Sequence, residues 1–206
     1  MPTFLLIRHG ENDYIKESRL ACRLPGVHLN EKGRAQALAL AEALKGTPIK
    51  AIYSSPLERA IETAEPLARA LSLEIIPRPG WIETDCGEWA GRPVKDLRRL
   101  KAWKIVQRTP SLLRFQGGES FAEIQIRLYR EIEALCALHG PKELIACFSH
   151  ADPIKLAVAY YIGLPLDQFQ RLSIATASIT ALTVSDSSAQ LLALNHAPSH
   201  QVWQIP

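Results

Sequence analysis

The chain has 206 residues, 47% of them hydrophobic, enough for one large domain with its own buried core. Its 24 basic and 21 acidic residues leave a net charge of only +3, which excludes the broad basic footprint of a nucleic-acid-binding protein and requires any functional positive charge to be local. No apolar run reaches the roughly 18 residues that span a bilayer, and the first residues lead straight into a strand-like segment without a signal-type region, so the expectation is a soluble, cytoplasmic protein with no membrane contact.

In chain order, Thr3 to Ile7 reads as a strand and Glu31 to Leu44 has helical periodicity, with Asn30 and Gly46 expected as its caps. Ala51 to Tyr53 is a short apolar strand. After Ser54-Ser55, Pro56 is expected in the first turn of a helix whose apolar stripe is Leu57, Ile61, Ala64, Leu67, Ala68 and Leu71, and Pro66 predicts a kink or break in it. Glu74 to Pro77 is another strand. From Arg78 to Gly118 the chain is richer in Trp, Pro, Gly and Arg, with a helical piece from Val94 to Val106, and reads as a cap over a site. Ser120 to His139 is a helix with Glu123 three residues after a Ser cap, Leu144 to Phe148 a buried strand and Pro153 to Ile162 a helix. The tail reads as a hairpin, Ser178 to Val184 and Gln190 to Asn195, around Asp186-Ser187-Ser188. This alternation predicts a single α/β domain over residues 1–206: a three-layer α/β/α sandwich, its central sheet mostly parallel with an antiparallel edge. Cys22, Cys86, Cys136 and Cys147 form no C-x-x-C pair, and two of them lie in apolar segments, so neither a zinc site nor a disulfide framework is expected.

The chemistry sits at strand ends. Arg8-His9 follows the first strand and Ser149-His150 the run from Leu144, and in open α/β sheets reactive groups gather outside the carboxyl ends of the strands. Ser54-Ser55, with Arg59 one turn into the next helix, is a third group able to converge there. Two guanidiniums can grip the oxygens of a dianionic phosphoryl group while imidazoles approach phosphorus or donate hydrogen bonds, and helix N-termini add positive dipole ends. The pattern points to phosphoryl transfer.

Six ordered segments sharpen this reading: Leu5-Leu6-Ile7-Arg8-His9-Gly10-Glu11; Leu29-Asn30-Glu31-Lys32-Gly33-Arg34-Ala35-Gln36-Ala37; Tyr53-Ser54-Ser55-Pro56-Leu57-Glu58-Arg59-Ala60 with Thr63-Ala64; Glu83-Thr84-Asp85-Cys86-Gly87-Glu88-Trp89 with Gly91; Gly117-Gly118-Glu119-Ser120; and Phe148-Ser149-His150. In these segments the chain resembles the histidine phosphatase superfamily, also called the phosphoglycerate-mutase-like family, along nearly its whole length. The resemblance implies a phosphomonoester hydrolase that acts through a phosphohistidine on a small phosphorylated metabolite, with no metal and no cofactor. It makes His9 the nucleophile, Arg8, Arg59 and His150 the clamp on the phosphoryl oxygens, and Glu83 the general acid that later activates water. His9 must attack as the neutral ring, which flanking guanidiniums favour, and Glu83 must begin protonated. Ser55 and Glu11 are expected as supports or minor phosphate contacts. A homodimer stays open.

Some positions depart from the family pattern. Asn12 and Ile15 stand where Thr or Ser and an Asn are usual, so one phosphate contact is expected to be replaced by Asn12 or by Arg23. Ala151-Asp152-Pro153 stands where glycines are common, and Asp152 is expected as a helix N-cap ahead of a role in selecting a cationic or hydroxyl-bearing substrate. His28, His139, His196 and His200 match no motif and are expected at the surface.

Three rivals remain. Cys86 to Arg92 has the Cys-x5-Arg spacing of cysteine-dependent phosphatases, but Asp85 and Glu88 would raise the thiol pKa that such an enzyme must lower. A mutase would use the same phosphohistidine and return the group to a rebound intermediate. The basic run Arg92, Arg98, Arg99, Lys101, Lys104, Arg108 and Arg114 could then hold a second anionic group, although solvation is the ordinary role of a charge run. A catalytically silent phosphate-binding module would show a damaged catalytic set, whereas Arg8, His9, Arg59, Glu83 and His150 are all present.

Overall fold

The computed structural model describes residues 1–185 and 188–198. Strand β1, Thr3–Arg8, is buried almost throughout, and the short helix α1, Asp13–Lys16, follows it, capped by the Asn12 side chain, which accepts from the Ile15 amide. Helix α2, Glu31–Leu44, starts at Asn30, whose side chain accepts from the Gly33 amide; its C-cap is Lys45, one residue before the expected Gly46. Strand β2, Ile49–Ser54, leads into α3, Glu58–Leu71, whose N-cap is Leu57, so Pro56 lies just ahead of the helix instead of in its first turn. Helix α3 runs on through Pro66 without a break. Strand β3 is Ile75–Pro77.

The expected helical piece after Val94 is two helices, α4, Val94–Leu97, and α5, Lys101–Arg108, with short 3-10 turns at Pro79–Trp81, Gly87–Trp89 and Pro110–Leu112. Aromatic contacts tie this irregular segment to the body: Trp89 stacks on Trp103 at 6.0 Å, meets Phe115 edge-on at 5.3 Å, and Phe115 passes the contact to Phe121 at 5.4 Å. Helix α6, Phe121–Leu138, has the complete reciprocal cap between Ser120 and Glu123 that its sequence announces. Strand β4, Leu144–Ser149, helix α7, Ala151–Tyr161, a further 3-10 turn at Leu166–Arg171, and the antiparallel strands β5, Ile179–Val184, and β6, Ala189–His196, follow. Asp186-Ser187 of the expected hairpin turn and His200 lie outside the described residues.

The six strands form one sheet in the order β3-β2-β4-β1-β5-β6. β1, β2, β3 and β4 pair in parallel, and β5 runs antiparallel to β1 with β6 beyond it. Alternation of side chains divides the core. Phe4 and Leu6 of β1, with Ile145 and Cys147 of β4, face the layer of α6 and α7; Leu5 and Ile7, with Leu144, Ala146 and Phe148, face α2 and α3. The result is the expected α/β/α sandwich.

Register places the chemistry. Arg8 pairs with Ser149 across β1 and β4, and Ser54 pairs with Phe148 across β2 and β4, so the three polar strand ends emerge side by side. The loop after β1 is pressed against α2: a Cβ built on Gly33 would come within 2.0 Å of the Glu11 carbonyl oxygen. Only a glycine permits that approach. Gly33→Ala is therefore expected to destabilise the fold by about 1–3 kcal/mol through overpacking, read as a lowered midpoint of urea unfolding. An unchanged midpoint would contradict the packing described.

Candidate active site

A cavity of roughly 210 Å³ opens at these strand ends and is lined by Arg8, His9, Asn12, Arg19, Arg59, Glu83 and Asp152, among others, with Cys22, Cys86 and Phe115 on its wall. His9 is fixed from three sides. Its amide donates to the Ser149 carbonyl at 3.0 Å, its Nδ1 lies 2.7 Å from the Gly10 carbonyl, and the Gly10 amide donates to Thr63 Oγ1 at 2.9 Å. A carbonyl only accepts, so Nδ1 carries the proton and the lone pair of the neutral ring is on Nε2. Burial holds the His9 pKa well below the usual histidine value, with Arg59 and Arg8 adding to the shift. The ring is neutral at pH 7.

The two guanidiniums, Arg59 buried and Arg8 partly so, are tethered to carbonyls. Arg8 Nη1 donates to Ile174 O at 2.6 Å and Arg59 Nη2 to Cys22 O at 2.7 Å. Arg8 Nε, Arg59 Nε and Arg59 Nη1 are buried donors with no protein acceptor, and Asn12 Nδ2 is another. Buried donors are normally satisfied, and a phosphoryl group offers acceptor oxygens to match these. Asn12 divides its amide accordingly: the oxygen caps α1 and the nitrogen is left for the cavity wall.

His150 is fully buried, its ring 5.1 Å from that of His9 and edge-on to it. Its Nε2 is 2.8 Å from Ser55 Oγ, which also accepts from the Leu57 amide at 3.3 Å. A Ser55 hydroxyl that donates to Nε2 puts the His150 proton on Nδ1, which has no hydrogen-bond partner and stands 3.7 Å from Glu83 Oε2. Glu83 Oε1 accepts from the Thr84 amide at 2.8 Å. Burial first, and the neighbouring Asp152 charge second, push the Glu83 pKa up to about 7, against the opposing pull of Arg59 and Arg8.

The remaining candidates divide. Arg23 does not reach the cavity wall: its Nε donates to the Glu83 carbonyl at 2.8 Å and its other nitrogens pair with Glu119 at 2.7 Å and Asp85 at 3.8 Å. Glu11 pairs with Lys32 at 2.7 Å and accepts from Asn30 at 3.2 Å, bracing α2. Asp152 is not a cap, because the N-cap of α7 is His150; it sits in the first turn, lines the cavity and pairs with Lys155 at 3.3 Å. His28 is exposed and paired with Glu62, as a surface residue. His139 is not on the surface in that sense: it is largely covered and bridges Tyr53 Oη at 2.9 Å and Glu143 at 2.8 Å.

Two features escaped the sequence. Cys22 and Cys86, 5.9 Å apart at Cα, form a disulfide, contrary to the expectation of none. A separation of 64 residues and no shared motif conceal it; only the folded loops bring the pair together. The second is Arg127, about two turns beyond the recognised segment that ends at Ser120, whose Nη1 donates to the carbonyls of Gly80 at 2.8 Å and Ile82 at 3.0 Å while Nη2 pairs with Glu119 at 3.2 Å. It holds the chain entering Glu83. Among the described residues, no group of three or more His, Cys, Asp or Glu side chains is placed to hold a metal ion, and no helix is long and apolar enough to cross a membrane.

A family profile described as histidine phosphatase superfamily, branch 1, matches residues 4–197. The chain belongs to that superfamily. It is 30% identical over 200 residues to phosphoserine phosphatase 1 of Hydrogenobacter thermophilus, covering 95% of this chain and 92% of the relative. It is also 30% identical to a 2,3-bisphosphoglycerate-dependent phosphoglycerate mutase of Thermoplasma acidophilum, covering 89% and 88%. Among solved structures, Bacillus stearothermophilus YhfR superposes with a TM-score of 0.89 at 27% identity, covering 97% and 99% of the two chains. A mycobacterial glucosyl-3-phosphoglycerate phosphatase solved with VO3 does so at 0.87 and 27%, covering 94% and 98%. The fold and family are those of phosphoric monoester hydrolases, with mutases as near kin.

The site's charges fix a pH signature. Glu83 is protonated below about pH 7 and ionised above it, while His9, its pKa depressed, stays neutral down to well below pH 6.5. kcat/KM is therefore expected to fall as pH rises through about 7. Glu83→Gln should lower the rate and erase that limb; a Gln variant retaining it would remove Glu83 from the role. Asp152→Asn should move the limb to lower pH, since the neighbouring anion is one of the causes that raise it.

Proposed function

We propose that this protein hydrolyses phosphomonoesters of small metabolites through a phosphohistidine on His9. The observation that carries the reading is the free Nε2 lone pair of His9 on a cavity whose other walls present buried, unpartnered guanidinium donors and a carboxyl group protonated near neutrality. His9 Nε2 attacks phosphorus as the bond to the leaving oxygen breaks. Arg8, Arg59 and Asn12 take the phosphoryl oxygens, where fixed donors aimed at developing charge contribute most. His150 Nδ1–H donates from behind the cavity, held in that tautomer by Ser55. Glu83 protonates the departing alkoxide, and as the carboxylate it then takes a proton from the water that cleaves the phosphohistidine. The scheme uses neither metal nor cofactor.

Arg23 acts one step back, holding the Glu83 backbone, and the 78–118 segment serves as the roof of a single-domain enzyme. A cavity of this volume suits a phosphoryl group on a short alcohol better than a phosphopeptide. The names of the relatives, a phosphoserine phosphatase and a glucosyl-3-phosphoglycerate phosphatase, agree with a small metabolite substrate. The cytoplasm is the proposed location.

Hydrolysis is favoured over mutase chemistry by the roof. None of Arg92, Arg98, Arg99, Lys101, Lys104, Arg108 and Arg114 lines the cavity, and all are exposed, so the basic run is solvated instead of holding a second anion. Phosphate release from a panel of phosphomonoesters is the test. His9→Ala is expected to lower turnover by about 10⁴-fold or more, and Arg59→Ala by about 10²–10³-fold. Conversion of 3-phosphoglycerate to its 2-isomer faster than phosphate release would establish the mutase reading, and turnover that survives His9→Ala would overturn both.

A further inference from the structure

We propose that the Cys22–Cys86 disulfide is a positioning cross-link for catalysis, holding Arg59 and Glu83 in register across the cavity, so that turnover depends on its oxidation state. The proposal rests on the roles assigned to Arg59 and Glu83 above.

The two cysteines stand at the junction of the loops that carry the chemistry. Both line the cavity, yet Cys22 lies in the irregular stretch between α1 and α2, and Cys86 three residues beyond Glu83 in the irregular stretch after β3. Residues 22 and 23 reach both functional groups. The Cys22 carbonyl is the acceptor for Arg59 Nη2 at 2.7 Å, and Arg23 Nε donates to the Glu83 carbonyl at 2.8 Å. On the other side, the Asp85 amide donates to Glu119 at 3.2 Å, and the Gly87 amide to Asp85 at 3.0 Å. A displacement of the 22–23 segment therefore moves the acceptor that aims one phosphate-binding guanidinium and the brace behind the general acid together.

Cys86 caps the 3-10 turn Gly87–Trp89, its carbonyl accepting from the Trp89 amide at 3.0 Å, whereas Cys22 lies outside any ladder or helix, two residues beyond the pairing of Leu20 with Gly91 and Arg92. Cys22 has φ 47°, a left-handed conformation that a non-glycine residue keeps only where its surroundings fix it. The bond from Arg59 to its carbonyl and the covalent bond to Cys86 supply that fixing. Gly87, directly after Cys86, is also left-handed at φ 48°, and a Cβ there would come within 2.0 Å of the Gln116 carbonyl oxygen, so the Cys86 end is seated against the 115–118 turn. The Cys22 end is the one the cross-link secures. Disulfides are rare in reducing compartments, and those found there are mostly catalytic or redox-sensing, which suits a bond on an active-site wall.

The chemical step is thiol–disulfide exchange with a dithiol. One thiolate of the reductant attacks a sulfur of the Cys22–Cys86 bond, giving a mixed disulfide and one cysteine thiolate; its second thiol closes on the first. The products are two protein thiols and the cyclic disulfide of the reductant, with two electrons and two protons passed to the protein. Cys22 and Cys86 are buried from the outer surface and border the cavity, which is the side from which a small dithiol would approach. Once the bond is gone, the Cys22 carbonyl and Arg59 lose a fixed relation to Glu83. kcat is expected to fall about tenfold or more, as for a misaligned site, with a smaller change in KM and a displaced high-pH limb.

The experiment uses the full chain. Thiol titration in denaturant without reductant should count two thiols, those of Cys136 and Cys147, and four after dithiothreitol. Phosphomonoester turnover and its pH profile are then measured on the untreated, dithiothreitol-reduced and reoxidised protein, and on Cys22→Ser/Cys86→Ser. The expected result is a reversible loss on reduction, with the double variant matching the reduced enzyme and indifferent to dithiothreitol. Four thiols in protein purified without reductant, or identical kcat and pH profiles in both states, would overturn the proposal alone. No turnover in either state would overturn the hydrolase reading and this proposal with it. Should the double variant fail to fold, the reduction and reoxidation of the native chain decide the matter.

Discussion

Arg59 is fully buried and Arg8 largely so, and both guanidiniums have carbonyl oxygens for partners and, among the described residues, no carboxylate within ion-pair distance. Burying a charge so incompletely compensated is costly, and the rest of the site follows from it. The cost lowers the pKa of both guanidiniums, and their field helps to hold His9 and His150 in the neutral form. It also restrains Glu83: the two arginines pull its pKa down while burial and Asp152 push it up, and the balance falls near neutrality. A dianionic phosphoryl group relieves the strain in one step, supplying acceptors to the unpartnered donors and negative charge to the cations. The same charge would raise the Glu83 pKa further, favouring the acid form that the proposed first step consumes.

Such a site needs a frame that does not yield. The β1–β4 pairing supplies it, since Arg8, His9, Ser149 and His150 all hang from one parallel register, and β2 adds Ser55 from the next strand. The same frame bears on the tautomers: the Gly10 carbonyl leaves the His9 lone pair on Nε2, the atom proposed to attack, and a Ser55 hydroxyl donating to His150 Nε2 leaves Nδ1–H for the proposed phosphoryl contact. What the frame does not hold is the far side of the cavity. There Arg23, Glu119 and Arg127 form a chain of alternating charges behind the Glu83 loop, and the Cys22–Cys86 bond joins that loop to the acceptor of Arg59.

The sheet, the layers and the near side of the site were legible in the sequence because each rests on local patterns. Apolar runs ending in Arg-His or Ser-His mark strands with reactive ends, and Asn30 and Ser120 mark helix starts. Helix boundaries at Pro56 and Gly46 were missed by one or two residues, since caps are chosen by backbone geometry that neighbouring residue types only bias. The far side was illegible for a different reason. The disulfide and the Arg127 clasp join residues tens of positions apart through loops of irregular backbone, and no periodicity or spacing records such meetings. Arg23 shows the limit well: residue type suggested a phosphate ligand, but Glu119 and Asp85 claim its charge. Asp152, expected as a cap, lost that place to His150 and faces the cavity instead.

In the proposed reaction a single ring nitrogen, Nε2 of His9, carries the phosphoryl group between substrate and water. Rapid quenching of the enzyme during turnover of a phosphomonoester, followed by alkaline digestion and separation of the phosphohistidine isomers, tests it most directly. The account predicts one isomer, phosphorylated at Nε2, in a peptide containing His9. An Nδ1 isomer, a phosphopeptide containing His150, or a phosphocysteine in place of either would contradict it.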